Sequence, residues 1–332
     1  MSTSLQHQHT LVKVYHGYGH RHNLTLYGHV YINKFSSGRK YTNNILSNII
    51  HLIRLFLIKP VAKAKVQLLW GSQVLDALTE DDGFFKFEWN SEEDVAAGWH
   101  EVKVQLMDEK GNAVKASVGK VFVPHVTQFG FISDIDDTVM ISHSATVLKR
   151  LRLLFTKHAR SRRTFTDVGS HYKLLSTAHT EPDVPNPFFY VSSSEWNLYD
   201  ELNEFFRHNS LPSGVFLLSQ MKRWYQLLKT GKTKHEGKLL RVYRVLHSFP
   251  KQRFVLIGDN SQADPTIYKI ICDKHPEKIH AVYIRNVVEK NIPATKHLLD
   301  SIKKNGIHTC IFTTNQEAIH HSKEIGLIST HQ

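Results

Sequence analysis

The sequence predicts an α/β fold: a three-layer, Rossmann-like parallel-sheet domain preceded by a β-rich, sandwich-like domain. Three observations carry that expectation. Residues 64–123 hold short runs of alternating apolar and polar residues separated by turn signals, the pattern of antiparallel strands. After Pro124-His125 the pattern changes to apolar strands alternating with helical segments, as in a parallel sheet covered on both faces. At the junction lies the stretch 129–139, an apolar run that ends in Asp134, Asp136 and Asp137. The predicted domains are therefore 1–125 and 126–332.

In chain order, residues 10–32 read as short strands punctuated by Gly17, Gly19 and Gly28. The run His16–Asn23 is rich in histidine and glycine. With no acidic ligand and no regular metal spacing, it reads as a polar turn rather than a metal or phosphate loop. Residues 45–59 form the first predicted helix, with Ile45, Ile49, Leu52, Ile53 and Phe56 on one face and Pro60 at its end. Packing against the β-rich domain is its expected role, and lying on a membrane interface is the sharper alternative. The apolar stretch 45–58 is 14 residues long and contains Ser47, Asn48, His51 and Arg54, too short and too polar to span a bilayer. Strands follow at 65–70, 84–89, 100–107 and 113–123, with turns at Asp81-Asp82-Gly83 and at 108–112. In the second half, strands are predicted at 187–191, 214–219, 253–257, 279–284 and 309–313. Helices are predicted at 198–206, 237–249, 265–273, 296–304 and 316–325.

Burying unpaired carboxylates is costly, so the strand ending at Asp134 must deliver them to a cation or to water. Asp134 and Asp136 stand two residues apart, and continued strand geometry turns both to one side. There they would make a hard, oxygen-rich site suited to Mg²⁺. Taken alone, the triplet reads equally well as an Asx-turn cluster closing a strand. The other strand ends decide between the two, because sites in such sheets form at C-terminal strand ends. One strand runs into Ser192-Ser193-Ser194, another into Gly258-Asp259 and then Asp264, and a third into Arg285-Asn286, with Lys238 between the first two. Carboxylates, a hydroxyl and an ammonium gathered at one rim are what Mg²⁺-assisted phosphoryl transfer requires.

Hydrophobic residues make up 41% and charged residues 22%, an ordinary soluble, globular composition. Cys272 and Cys310 are the only cysteines and make no disulfide framework. The net charge of +12, with 23 histidines besides, favours an anionic partner. The first nine residues lack the apolar core of a signal peptide and no stretch can span a bilayer, so a cytoplasmic or peripheral-membrane location is expected.

These motifs resemble the haloacid-dehalogenase superfamily of phosphotransferases. Its DxDxT signature is matched by Asp134-Ile135-Asp136-Asp137-Thr138, its strand-end hydroxyl by Ser192 and its GDx₄D motif by Gly258-Asp259 through Asp264. The lysine is matched best by Lys238, with Lys232 and Lys234 as rivals. Within that superfamily, FISDIDDTV, YVSSSEWNLYDEL and FPKQRFVLIGDNSQADPTIY resemble the actin-patch-associated phosphatidate phosphatase family. The resemblance implies a Mg²⁺-dependent enzyme converting phosphatidate to diacylglycerol. It implies Asp134 as nucleophile, Asp136 as general acid and base, Ser192 as phosphoryl-binding hydroxyl and Lys238 as charge stabiliser. It implies Asp134, the backbone carbonyl of Asp136, Asp259 and Asp264 around the metal. Asp137 is expected to be structural.

The insertion 144–175 is where substrate choice is expected. Lys149, Arg150, Arg152, Arg160, Arg162 and Arg163 are interleaved there with apolar residues, as in a helix that meets an anionic phospholipid surface. A solvated surface helix is the plainer reading. Nucleic acid is disfavoured, since Phe155, Phe165 and Tyr172 are the only aromatics available for stacking. Two other functions compete: phosphatase action on a soluble phosphomonoester or phosphoprotein, and a lipid- or nucleic-acid-binding module with a decayed site. The intact Asp134, Asp136, Lys238, Asp259 and Asp264 argue against decay.

Overall fold

The structure, a computed structural model, describes residues 9–33, 44–141, 160, 162–180, 183–221 and 234–329. Lys149, Arg150, Arg152 and Lys232 lie outside the described residues. The chain divides into two compact units that part between His125 and Val126, with residues 44–49 going with the second.

The first unit is one nine-stranded sheet. Its strands are β1 (Thr10–Val14), β2 (Gly17–His20), β3 (Asn23–Ile32), β4 (Lys59–Pro60), β5 (Lys65–Trp70), β6 (Gln73–Leu78), β7 (Phe84–Trp89), β8 (Gly98–Met107) and β9 (Ala113–Val123). β3 is ten residues long, enough to pair with β2 and β1 along one edge and with β7 and β4 along the other. β2 also pairs, in parallel, with β9, which continues through β8 and β5 to β6. The strands thus make one continuous sheet rather than two separate ones. Alternate residues face a shared core: Leu24 and Leu26, Val66 and Leu68, Phe85 and Phe87, Val102 and Val104.

Helix α1 covers Ile45–Phe56 and so ends three residues before the predicted 59. Lys59 and Pro60 pair instead with Ile32 and Tyr31 of β3. A residue before proline is pushed toward extended backbone, which suits Lys59 to a strand. The predicted inward face is only partly right: Phe56 is buried, but Ile53 is 39% exposed. The side chains of Ile45 and Leu52 lie outside what the structure describes.

The second unit alternates as predicted. β10 (Gly130–Asp134) is followed by helix α2 (Val168–Ser176), β11 (Phe188–Glu195), α3 (Tyr199–His208), β12 (Val215–Ser219), α4 (Lys234–Ser248) and β13 (Phe254–Asp259). Then come α5 (Asp264–Lys274), β14 (Ile279–Arg285), α6 (Ile292–Lys303), β15 (His308–Phe312) and α7 (Asn315–Glu324). The six strands are parallel, in the order β12-β11-β10-β13-β14-β15. This is the Rossmann order, with the winding direction reversing beside β10 and β13. Every residue of β10 and β13 is buried, as a central parallel strand covered on both faces should be. Helix α2 is a further element that occupies the end of the predicted insertion and runs one residue past its bound at 175.

Candidate active site

The crevice where a doubly wound sheet reverses lies beyond the C-terminal ends of its central strands. Here those strands are β10 and β13, and both end in aspartate, at Asp134 and Asp259. After Asp134 the chain turns sharply. The amides of Val139 and Met140 both donate to the carbonyl of Ile135, at 3.0 Å each, and Asp137 takes the left-handed conformation at φ 62°. An aspartate tolerates that conformation better than most residues, which fits the structural role expected of Asp137.

The turn gives the two motif carboxylates different neighbours. Asp136 faces β11: its Oδ2 accepts hydrogen bonds from Ser192 Oγ at 2.9 Å and Ser194 Oγ at 3.4 Å. Asp134 faces α4: Lys238 Nζ donates to its Oδ1 at 2.6 Å. The same ammonium also donates to Asp264 Oδ1. Of the rival lysines, Lys234 opens α4 with its side chain outside the described residues.

Asp259 completes the group. Its Oδ1 accepts from the amide of Ser261 at 2.5 Å and its Oδ2 from Thr138 Oγ1 at 3.4 Å. Asp264, at the start of α5, accepts from the amide of Asp259 at 3.3 Å. Gly258 makes that approach possible, since a Cβ there would come within 2.5 Å of Asp264 Oδ2 and 2.9 Å of the Tyr268 ring. Asp134, Asp259 and Asp264 each present one oxygen within 4.8 Å of the others. All three are buried, and Asp134 Oδ2 has no hydrogen-bond partner among the described residues.

Three buried carboxylates share one ammonium, and the electrostatics register the imbalance. Burial pushes the Asp134 carboxyl well above the usual range. Lys238 opposes that shift, while Asp264, Asp259 and Asp136 add to it. Burial, followed by the charge of Asp264, raises Asp259 to about 7. Burial alone would lower Lys238, but Asp134 and Asp264 outweigh it and hold the ammonium charged. A cluster of hard oxygen donors short of positive charge, with one orphaned carboxylate oxygen, fits a hard divalent cation.

Two arginines brace this arrangement. Arg241 lies three residues beyond Lys238 on α4, the spacing that puts both on one helix face. It donates to the carbonyl of Ser192 at 3.3 Å and to Ser219 Oγ at 3.0 Å, tying the ends of β11 and β12. That spacing is the signal by which the sequence could have revealed it. Arg285, expected at the rim, is buried beneath it. It donates to the carbonyl of Thr138 and to Asn315 Oδ1, both at 2.9 Å, and lies over the rings of Phe165 and Phe312. Asn260, which follows Asp259, accepts from the amides of Val287 and Val288 at 2.8 and 2.9 Å and fixes the loop after β14.

The described cations of the basic insertion differ in their surroundings, and its backbone at Arg163 accepts a hydrogen bond from the amide of Ile141, just after the Asp134–Thr138 motif. Arg160 pairs with Glu204 at 2.5 Å on the surface, Arg163 is exposed and Arg162 is buried at 4% exposure. Arg162 is therefore not turned toward any external surface, contrary to the role expected of it.

Residues 129–286 match the family described as the catalytic domain of phosphatidate phosphatase APP1. The chain is 31% identical over 159 residues to phosphatidate phosphatase APP1 of Saccharomyces cerevisiae, a match covering 47% of this chain and 25% of that protein. An uncharacterised protein of Schizosaccharomyces pombe is 25% identical over 177 residues, covering 53% of this chain and 28% of its own length. The match thus spans about a quarter of the length of these curated relatives. Among solved structures, a carbohydrate acetylesterase from Xanthomonas citri has a TM-score of 0.35 at 9% identity, covering 96% of this chain and 75% of that one. A likeness that slight fixes neither fold nor activity. All the motif residues from Asp134 to Asp264 fall inside the matched segment.

Proposed function

We propose that the chain is a Mg²⁺-dependent phosphatidate phosphatase with a haloacid-dehalogenase-type site, a reading supported by the match of residues 129–286 to the APP1 catalytic-domain family. The observation that carries this reading is the buried cluster of Asp134, Asp259 and Asp264 with the half-buried Lys238, and Asp136 held apart on Ser192. Asp134, Asp259 and Asp264 are the residues that would hold Mg²⁺. The bound cation would supply positive charge for the phosphoryl oxygens.

The chain's own residues divide the work. A carboxylate oxygen of Asp134 attacks phosphorus, and the bond from phosphorus to the glycerol oxygen breaks. Asp136, in its protonated form, gives its proton to the departing oxygen, so diacylglycerol leaves as the alcohol. The phosphoryl group is then an acyl phosphate on Asp134. Asp136, now ionised, takes a proton from water as that water attacks phosphorus. Inorganic phosphate leaves and the Asp134 carboxylate is restored. Lys238 opposes the rise that burial imposes on the Asp134 carboxyl and offsets charge on the transferring group. The hydroxyls of Ser192 and Ser194 fix Asp136 on the β11 side.

The test is phosphate release from phosphatidate vesicles, with and without Mg²⁺. Turnover is expected to require the cation, and Asp134→Asn is expected to lower it about a thousandfold or more. Full turnover by Asp134→Asn, or turnover unaffected by chelator, would overturn the reading.

A further inference from the structure

Helix α1 carries more apolar surface than its packing uses. Phe56 is buried at 2% and Asn48 at 8% exposure, which defines its inward side. Leu46, Ile50, Ile53 and Leu57 are nonetheless 69%, 49%, 39% and 42% exposed. At about 100° per residue, these four fall within an arc of roughly 60°. They form one continuous stripe, in which Leu57 extends the helix's last turn through its amide, 3.0 Å from the carbonyl of Ile53. A soluble helix exposes single apolar residues routinely, but an aligned stripe marks a surface that meets something.

The charge around the stripe says what. Residues 1–75 contain nine lysines and arginines and not one aspartate or glutamate; the first acid in the chain is Asp76. Arg54, Lys59 and Lys63, on or just beyond α1, are all exposed. An apolar stripe with basic residues at its border and no acid near it in the chain complements an anionic lipid surface. The length of α1 excludes insertion across a bilayer: 12 residues rise about 18 Å, well short of a hydrocarbon core of about 30 Å. Among the described residues, no helix is long and apolar enough to cross a membrane.

We propose that α1 is an interfacial helix that seats this protein on an anionic phospholipid bilayer, with Leu46, Ile50, Ile53 and Leu57 entering the headgroup boundary and Arg54, Lys59 and Lys63 meeting lipid phosphates. This deepens the phosphatidate phosphatase reading and rests on it for the choice of lipid. It adds the element that would bring the enzyme to a substrate held in a membrane.

The experiment is co-sedimentation of the full chain with phosphatidylcholine vesicles, with or without phosphatidylglycerol. Neither lipid is a phosphomonoester, so binding is read independently of catalysis. The triple variant Leu46→Gln, Ile50→Gln, Ile53→Gln keeps good helix formers at exposed positions. The parent is expected to bind phosphatidylglycerol vesicles and to release at high salt. The variant is expected to bind about tenfold or more weakly. Turnover of a soluble aryl phosphate, unchanged in the variant, confirms that it is folded. Equal sedimentation of parent and variant would overturn the proposal, as would indifference to lipid charge. A parent that elutes as a dimer and a variant that elutes as a monomer, with no vesicle binding by either, would assign the stripe to a second copy of this chain. Binding to phosphatidylglycerol vesicles together with no phosphate release from phosphatidate vesicles would instead fault the reading of the active site and leave this one standing.

Discussion

Asp134 and Asp136 are the same residue type, two positions apart, and their neighbours alone separate their roles. Asp134 meets an ammonium and two carboxylates, whereas Asp136 meets two hydroxyls. Ser192 makes the shorter bond to Asp136, at 2.9 Å against 3.4 Å for Ser194. Ser192→Ala is therefore expected to lower kcat on a soluble aryl phosphate by about tenfold to a hundredfold, and Ser194→Ala by less. Equal losses would show that the difference in geometry has no catalytic meaning. A second residue-scale effect lies in the β-rich unit. His29 is fully buried beside the Tyr15 hydroxyl, 2.9 Å from its Nδ1, and burial lowers its pKa to about 3. The unfolded chain, with a histidine near 6.5, binds the extra proton first. Stability carried by this group is thus present above about 6.5 and is lost as pH falls toward about 3. Urea midpoints at pH 7 and pH 4 should show a smaller acid loss in His29→Gln than in the parent, by about 1 to 3 kcal/mol.

Elements bring distant residues into one crevice, and the close approach of β13 to α5 is the most exacting case. Gly258 leaves room for the Asp264 carboxylate against the strand. Gly258→Ala should displace Asp264, costing about 1 to 3 kcal/mol of stability and lowering turnover more than KM changes. Thermal melts and steady-state kinetics together check it, and a variant as stable and active as the parent would show that Asp264 moves freely. Elements also explain the sequence's misses. β6 was not read from the sequence. It is an edge strand whose Val74 and Leu78 face outward at 57% and 64% exposure while Leu75 and Ala77 pack against the core, so apolar residues on both faces hide the alternation. α1 was read three residues too long because its apolar pattern continues through Leu57 and Ile58. Backbone pairing of Lys59 and Pro60 with β3 ends it, and a one-dimensional pattern contains no such partner.

At the scale of the whole molecule, a positive protein is paired here with a proposed anionic substrate. The net charge of +12 should make attraction to a charged bilayer sensitive to salt, because exposed charges are screened over a Debye length. Hydrolysis of phosphatidate in vesicles is expected to fall several-fold between about 50 and about 300 mM salt, with soluble aryl phosphate turnover little changed. Parallel declines on both substrates would place the salt effect in the active site instead. The topology has a matching consequence. The strand order β12-β11-β10-β13-β14-β15 sets β10 and β13 side by side although they are far apart in the chain. That adjacency brings Asp134 within reach of Asp259.

Alternation of strands and helices after Pro124-His125, and the order of the motifs at Asp134, Ser192, Lys238 and Asp259, were legible in the sequence because periodicity and residue type are local properties. What the sequence left open was pairing. It favoured Lys238 but left Lys232 and Lys234 as rivals, and the fold sets the Lys238 ammonium between Asp134 and Asp264. It grouped Arg162 with exposed cations, and only packing buries it. It gave α1 an apolar face without saying which part of that face the core would cover. Burial depends on which surfaces meet in three dimensions, and a stripe becomes available to a membrane only after the core has taken its share.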